Sequence, residues 1–217
     1  MRLYHFVPAE HGISNIERRR LKIATFDQLN DPFELLAVAP GTADERAAFR
    51  HTKAQMAERA GLLCFSRKWH NPVQWSHYAG KHSGLCLGFD VADDIVKPVR
   101  YQAKRVPFDP AILGDEEKGL AFILELSCIK FSHWKYEDEV RAFVGLEDMD
   151  RESGKYFAEF SPKLALREVI VGAACTVTRV ELARALGDLA GEVRQRKARL
   201  AFRSFRVVTQ QKNDYWS

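Results

Sequence analysis

The sequence of 217 residues is short of the local signatures that make an enzyme easy to assign. It has no G-x-G-x-x-G fingerprint and no Walker loop, which removes the common glycine loops that cradle phosphate. It has no G-x-S-x-G and no H-E-x-x-H, which removes nucleophile-elbow hydrolases and zincin metalloproteases. Cysteine is scarce: Cys64, Cys86, Cys128 and Cys175 form no C-x-x-C pair and no four-ligand zinc spacing. A disulfide scaffold is thereby excluded, and the expectation is reduced, buried thiols. Charge of one sign is lacking too. A net charge of +4 permits an anionic ligand but does not demand nucleic acid. No run approaches the ~20 apolar residues that span a bilayer. The opening residues, MRLYHFVPAEH, lack the apolar segment of a signal peptide. The expectation is a soluble, cytoplasmic protein without a membrane partner. Repeats, low-complexity tracts and Gly/Ser/Pro linkers are absent, so residues 1–217 read as one domain. A domain of this length buries roughly 70% of its unfolded surface and needs no staples.

What is present concentrates between Leu62 and Asp90. Leu62 to Phe65 is an apolar run that predicts a buried strand ending at Ser66. A polar turn leads to Pro72, a residue suited to the first turn of a helix. Trp75 and Tyr78, three apart, then share a helix face. Gly80 and Gly84 punctuate the way into a second strand, Leu85 to Phe89. Aromatic rings, imidazoles and hydroxyls gathered at a strand end suit a small-molecule pocket. Taken singly, the same residues are most simply core anchors and surface histidines.

Along the rest of the chain, Leu3 to Val7 predicts a strand stopped by Pro8. Ser14 to Leu21 predicts a short helix with Ser14 as cap and Glu17 at the capping-box position. Leu21 to Ala24 follows as a strand. Asn30-Asp31-Pro32 signals a turn, with Asp31 able to cap a helical turn and Glu34 at its third position. Thr42 to Arg59 predicts an amphipathic helix with Phe49 and Met56 on one stripe, ended by Gly61. Val99 to Tyr101 suggests a strand, Pro107 to Pro110 a break, and Gly114 to Ile129 a helix. Tyr156 to Phe160 and Leu166 to Gly172 predict strands, Thr178 to Ala190 a helix and Lys197 to Thr209 a strand. One mixed α+β domain follows from this order.

Lys130 to Val144 carries an unusual acidic trio, Glu137-Asp138-Glu139, at the head of an alternating strand, Val140 to Val144. Strand alternation puts Glu137 and Glu139 on one face, with Arg141 as a partner. Two partly buried carboxylates that repel each other drive one of them to titrate high. The simpler reading is an exposed strand end. The basic end, with Arg194, Arg196, Lys197, Arg199, Arg203 and Arg206, is most simply a solvated face; a phosphate or nucleic-acid surface is the sharper alternative. A metal site from His77, His82 and Asp90 lacks the i, i+4 histidine pair, so no metal is expected.

Six segments together resemble a bacterial family, the domain of unknown function 2971. They are Leu3 to Phe6, Asn30 to Glu34 (N-D-P-F-E), Cys64 to Ser66 (C-F-S), Trp75 to Ala79 (W-S-H-Y-A), His82 to Asp90 (H-x-G-x-C-L-x-F-D) and Trp134 to Arg141 (W-x-Y-E-x-E-x-R). The resemblance covers nearly the whole chain and supplies no activity. A weaker similarity is to the ADP-ribosyltransferases. It implies a single compact α+β domain with a split, mostly antiparallel sheet flanked by helices and gripping NAD. Their signature is Arg or His on the first strand, Ser or Tyr on the second, and a Glu, often in Glu-x-Glu, heading a later strand. The matching positions are His5, Ser66 or Tyr78, and Glu137-x-Glu139. Ser66 is followed by Arg67-Lys68 rather than Thr-Ser, and His5 stands for Arg, so the set lies between the two subclasses.

The resemblance implies roles. Glu139 would stabilise the oxocarbenium-like charge that develops as the nicotinamide–ribose bond breaks. Glu137 would orient the nucleophile or take its proton. His5 would hold the adenosine ribose or a phosphate oxygen, and Ser66 would steady the sheet edge. Tyr78 would stack on nicotinamide. Arg67 or Lys68 would meet the pyrophosphate, and Tyr4 would join the NAD-binding group. The implied protein is an ADP-ribosyltransferase or NAD glycohydrolase, of the kind that serves as a bacterial toxin or defence effector. Its acceptor stays open: protein, nucleic acid, small molecule or water. Two alternatives stand beside it. One is a nucleic-acid-binding or nuclease-like defence protein, supported by the basic end and by His70, His77 and His82. The other is a non-catalytic module that keeps the fold.

Overall fold

The computed structural model describes residues 1–108, 112, 116–147, 149–150 and 153–216, without a few of their side chains. β1 (Arg2–Val7) opens the chain and Pro8 starts α1 (Ala9–Glu17). β2 (Arg20–Lys22), β3 (Ala24–Thr25) and β4 (Val38–Ala39) lead to α2 (Ala43–Arg59), β5 (Ala60–Ser66), α3 (Pro72–Tyr78) and β6 (Leu85–Val91). β7 (Val96–Pro98), β8 (Arg100–Gln102) and β9 (Val106–Pro107) precede α4 (Glu116–Leu126), β10 (Ile129–Phe131) and β11 (Glu139–Gly145). β12 (Met149–Asp150), β13 (Lys155–Glu159), β14 (Leu164–Val171), α5 (Arg179–Leu186), β15 (Arg194–Leu200) and β16 (Val207–Thr209) close the chain.

The main sheet has the order β16-β15-β14-β6-β1-β5-β11-β7, with β3 also on β5. Its pairings are antiparallel except β14 with β15, which run parallel. A parallel pair needs a crossover, and α5 supplies it, started by the reciprocal capping box of Thr178 and Glu181. The architecture is therefore mixed α/β around one large, mostly antiparallel sheet. The sheet is not evenly laced. β1 matches β6 from Arg2–Asp90 to Val7–Leu85, but meets β5 at a single pair, Tyr4–Ser66. The two halves of the sheet part at that seam.

Strand alternation sorts the side chains into two layers. Leu3, Val7, Leu85, Leu87, Phe89, Val169 and Val171 join Ile16 of α1 and Leu182 and Leu186 of α5 in one core. On the other face Cys86 and Ile170 pack with Trp69, Trp75 and Ala79, with Tyr4 and Phe6 at the border. A third cluster, Phe26, Phe49, Leu62, Leu126 and Ile129, ties α2 and α4 to β5. Trp75 is fully buried; its ring stands edge-on to Phe6 at 5.3 Å and its Nε1–H donates to Trp69 O at 2.6 Å. All four cysteines are free, with Cys64 half-buried and the others buried. Among the described residues no helix is long and apolar enough to cross a membrane.

Several expectations are corrected. Ser14 caps nothing: α1 begins six residues earlier in the sequence than a Ser14-capped helix would, at Ala9 after Pro8. Gly12 within it lies so close to Val7 and Leu85 that a Cβ would meet Leu85 Cδ1 at 2.8 Å. Gly61 does not end α2 but lies in β5, pressed against Ile23 and Ala24. The predicted strand from Lys197 to Thr209 is two strands around a turn. Predicted helices to Ile129 and Ala190 stop at Leu126 and Leu186, the latter where Gly187 takes φ 53°. Glu137 is not in a strand: it ends a 3-10 turn, Ser132–Glu137. The Met56 side chain, Pro110 and Gly114 lie outside the described residues.

Candidate functional site

The seam between β1 and β5 opens into a cleft of about 120 Å³. β1 lends Tyr4, His5 and Phe6, β5 lends Cys64 and Ser66, and α3 lends Gln74 and Tyr78. Lys130, Glu137 and Glu139 close its charged side, and Asn30 stands at the rim. The first turn of α3 is set by Asn71, whose Oδ1 accepts from Val73 N at 2.9 Å, with Pro72 at the next position. Two amides then clip the 3-10 turn to this helix. Gln74 Nε2 donates to Glu137 O at 2.7 Å and Asn71 Nδ2 to Tyr136 O at 3.1 Å. Asp138 takes the left-handed conformation, φ 46°, which short polar side chains tolerate. That reversal lets Glu137 and Glu139 converge on one cation although only Glu139 is in the strand.

The cation is Lys130, the middle residue of β10. Its Nζ lies 2.8 Å from Glu137 Oε2, 2.9 Å from Glu139 Oε2 and 3.5 Å from Glu34 Oε1. Arg141, also buried, spends every guanidinium N–H within the cluster. Nε donates to Glu139 Oε1 at 2.8 Å, Nη1 to Glu34 Oε2 at 2.8 Å and Ser127 O at 2.5 Å, and Nη2 to Glu34 Oε1 at 2.5 Å and Glu139 Oε2 at 3.2 Å. Three carboxylates (Glu34, Glu137, Glu139) thus face two cations (Lys130, Arg141), one negative charge in excess when all are ionised.

The protonation of each group follows from its neighbours. Burial pushes Glu139 up, but Arg141 and Lys130 more than reverse this and bring it down to about 2. Burial also raises Glu137; Lys130 opposes, and Glu139 reinforces, so its carboxyl ends above the ordinary value. Burial works against the charge on Lys130, yet Glu139, Glu34 and Glu137 hold it protonated well past its ordinary range. Of the two glutamates that flank Asp138, Glu137 is thus the one held toward its protonated form. Tyr78 donates its hydroxyl to Glu137 Oε1 and accepts from Asn30 Nδ2; burial and the Glu137 charge push its own ionisation far up.

The sequence-selected residues are distributed as follows. Tyr4, Ser66 and Glu139 are successive cross-strand partners and so share one face of the sheet. His5, one residue on, belongs by alternation to the opposite face, where its ring meets Phe65 edge-on at 6.0 Å. It still lines the cleft, because the strands part there. Its Nδ1 donates to Cys64 O at 3.0 Å, bridging the seam, while burial lowers its pKa. The neutral ring keeps Nε2 as an acceptor. The Ser66 hydroxyl is engaged locally, donating to Lys68 O at 2.9 Å. Tyr78 and Glu137 sit in the cleft, but Trp75, expected to share the face of Tyr78, is core. Arg67 does not line the cleft: Arg67 and Lys68 both pair with Asp138. The acidic pair is buried, not an exposed strand end.

Sequence reasoning missed Lys130, Asn30 and Gln74 as cleft residues and Glu34 as their buried support. The turn chemistry at Asn30-Asp31-Pro32 gives no sign that Glu34 meets a cation about half the chain away. His77, His82 and Asp90 point to separate partners, Tyr136, Ser76 and Arg2. Among the described residues no group of three or more His, Cys, Asp or Glu side chains is placed to hold a metal. Lys130 also lines a second, apolar hollow of about 290 Å³ with Phe33, Leu36, Arg105 and Phe131.

Fold and site together define a mixed α/β protein with a small charged cleft at a parted sheet seam. No family model matches the chain, and neither the curated proteins nor the solved structures give a match.

Proposed function

We propose that the seam cleft binds NAD and that the protein is an ADP-ribosyltransferase-like enzyme or NAD glycohydrolase of the domain of unknown function 2971 type. The observation that carries the reading is the meeting of Tyr4, His5, Ser66, Tyr78, Glu137 and Glu139 around one hollow where β1 leaves β5. Those residues are separated by up to most of the chain, and their order is the one the resemblance requires. The cleft, about 120 Å³, is smaller than the ~300 Å³ that engulfs a whole ligand. It takes the nicotinamide end, with the remainder of the dinucleotide outside. The hollow that shares Lys130 offers Lys104 and Arg105 for phosphate oxygens.

In this reading the bond between the nicotinamide nitrogen and ribose C1′ breaks with its electron pair on nicotinamide. The cationic ribosyl group faces a cluster with one excess negative charge, in a place from which much water is excluded. An acceptor hydroxyl, or water, adds to C1′ and gives its proton to Glu137, whose raised pKa suits a general base. Glu139 acts on the same cation from within its clamp of Arg141 and Lys130 rather than as a free group. Incubation with NAD should release nicotinamide, and Glu137→Gln should abolish the release while the fold persists. A native protein that neither binds nor cleaves NAD in calorimetry and product analysis would leave the non-catalytic reading in its place. That second reading is favoured by the saturation of Glu139.

A further inference from the structure

We propose that the turn between β15 and β16, with the groove beside it, docks single-stranded nucleic acid. The turn reads Ala201-Phe202-Arg203-Ser204-Phe205-Arg206, and Phe202 and Phe205 are 91% and 98% exposed. No other large apolar side chain among the described residues is so bare, and neither ring contributes to a core. The turn is not loose. Ala201 N donates to Arg206 O and Arg206 N to Ser204 O, each at 2.9 Å, so the rings are presented on a closed loop. The Arg199 guanidinium lies over the Phe202 ring at 4.7 Å. Among the described residues neither Arg203 nor Arg206 has an acidic partner.

From Phe205 and Arg206 a groove of about 770 Å³ runs past Lys68, His70, Lys135 and Tyr136. Its one carboxylate, Asp138, is already neutralised by Arg67 and Lys68. Exposed rings three residues apart, with Arg203 between them and Arg206 just beyond, match the alternation of bases and phosphates along a single strand. Bases stack on the rings whatever their sequence, and the arginines follow the backbone. A duplex hides its base faces, so it cannot use the rings. An anionic membrane would take the rings but has no use for a groove walled by lysine, tyrosine and histidine. This inference stands apart from the NAD reading, since Glu137 is outside the groove.

The test is fluorescence anisotropy of labelled oligouridylate and oligothymidylate, each about 20 nucleotides long, against the full chain at low and raised salt. Binding is expected at low salt, weakening as salt rises, and stronger for single strands than for a duplex of equal length. Phe202→Ala with Phe205→Ala should weaken it roughly tenfold or more. Arg203→Gln with Arg206→Gln should lower the salt slope by roughly 1.4, the share of two phosphate contacts on a single strand. Glu137→Gln should bind as the native chain does. Absence of binding at low salt, or equal binding by the ring variant, overturns the proposal. So does ring-dependent retention on phosphatidylglycerol vesicles without oligonucleotide binding. Oligonucleotide binding without NAD cleavage sinks only the enzymatic reading; cleavage without binding sinks only this one.

Discussion

Arg141 and Glu34, 107 residues apart in the chain, meet in a two-armed ion pair in which Nη1 lies 2.8 Å from Oε2 and Nη2 2.5 Å from Oε1. Both side chains are fully buried. The pair nails the turn after Asn30 to β11 and so fixes one wall of the seam cleft. It also keeps Arg141 from drifting toward a ligand, because every donor is already used.

Replacing Glu34 takes the charge from a two-armed hydrogen bond to a buried guanidinium, which then has Glu139 alone as carboxylate partner; hydrogen bonds to charged groups contribute about 1.5–3 kcal/mol each. Glu34→Gln should therefore lower the unfolding free energy by about 3 kcal/mol or more, seen in urea titration. For a chain of this size that is a fall of roughly 10 °C in Tm. A melting point within about 2 °C of the native one would show that the pair holds nothing.

Glu137→Gln should behave in the opposite way. Gln keeps an acceptor for Tyr78 or Lys130, and the cluster that remains, Glu34 and Glu139 against Lys130 and Arg141, is charge-balanced. Stability in thermal melts should be retained or rise, while nicotinamide release from NAD disappears. Glu139→Gln is the poorer probe of chemistry, since it also strips Arg141 and Lys130 of a buried partner.

The two carboxylates should leave opposite marks on stability as pH changes. Glu139 is depressed on folding to about 2, so its contribution is full above the ordinary value of 4.5 and is lost as pH falls toward 2. Glu137 is raised on folding, so its contribution is present below 4.5 and is lost as pH climbs through its folded value. The stability gain of Glu137→Gln over the native chain should accordingly grow with pH above 4.5. In the proposed NAD reaction, turnover by the native chain should rise through an apparent pKa above 4.5, as the base loses its proton. Denaturant titrations and kcat/KM profiles across acid to neutral pH measure both; a gain that shrinks with rising pH contradicts the assignment.

Gly172→Ala should destabilise by about 1–3 kcal/mol or more. Its Cβ would stand 2.3 Å from His82 O and 2.7 Å from Gly84 O, backbone atoms of the bend that leads from α3 into β6. Gly191→Ala meets nothing within 4 Å and should melt like the native protein. Equal behaviour of the two variants would remove the packing argument.

Short-range chemistry was readable before any coordinates. Pro72 announced α3, the stretches Thr42 to Arg59 and Thr178 to Ala190 announced α2 and α5, and short apolar, β-prone runs marked β1, β5, β6 and β14. Errors clustered where local signals conflict. Ser14 looked like a cap but sits in a helix started by Pro8. Glu137 looked like a strand residue because alternation does not reveal the left-handed turn at Asp138. The run from Lys197 to Thr209 alternates well on both sides of a turn that neither glycine nor proline announces.

By itself, the sequence determined the longer strands and helices and that two glutamates flank one residue near a strand head, because those depend on neighbours in the chain. Only the tertiary structure decided that Glu34 and Lys130 join them, that Tyr4 rather than His5 shares their face, and that β1 parts from β5. Charge pairing and sheet register bring together residues far apart along the chain, and nothing local specifies which of many compatible partners will meet when the sheet closes over its core.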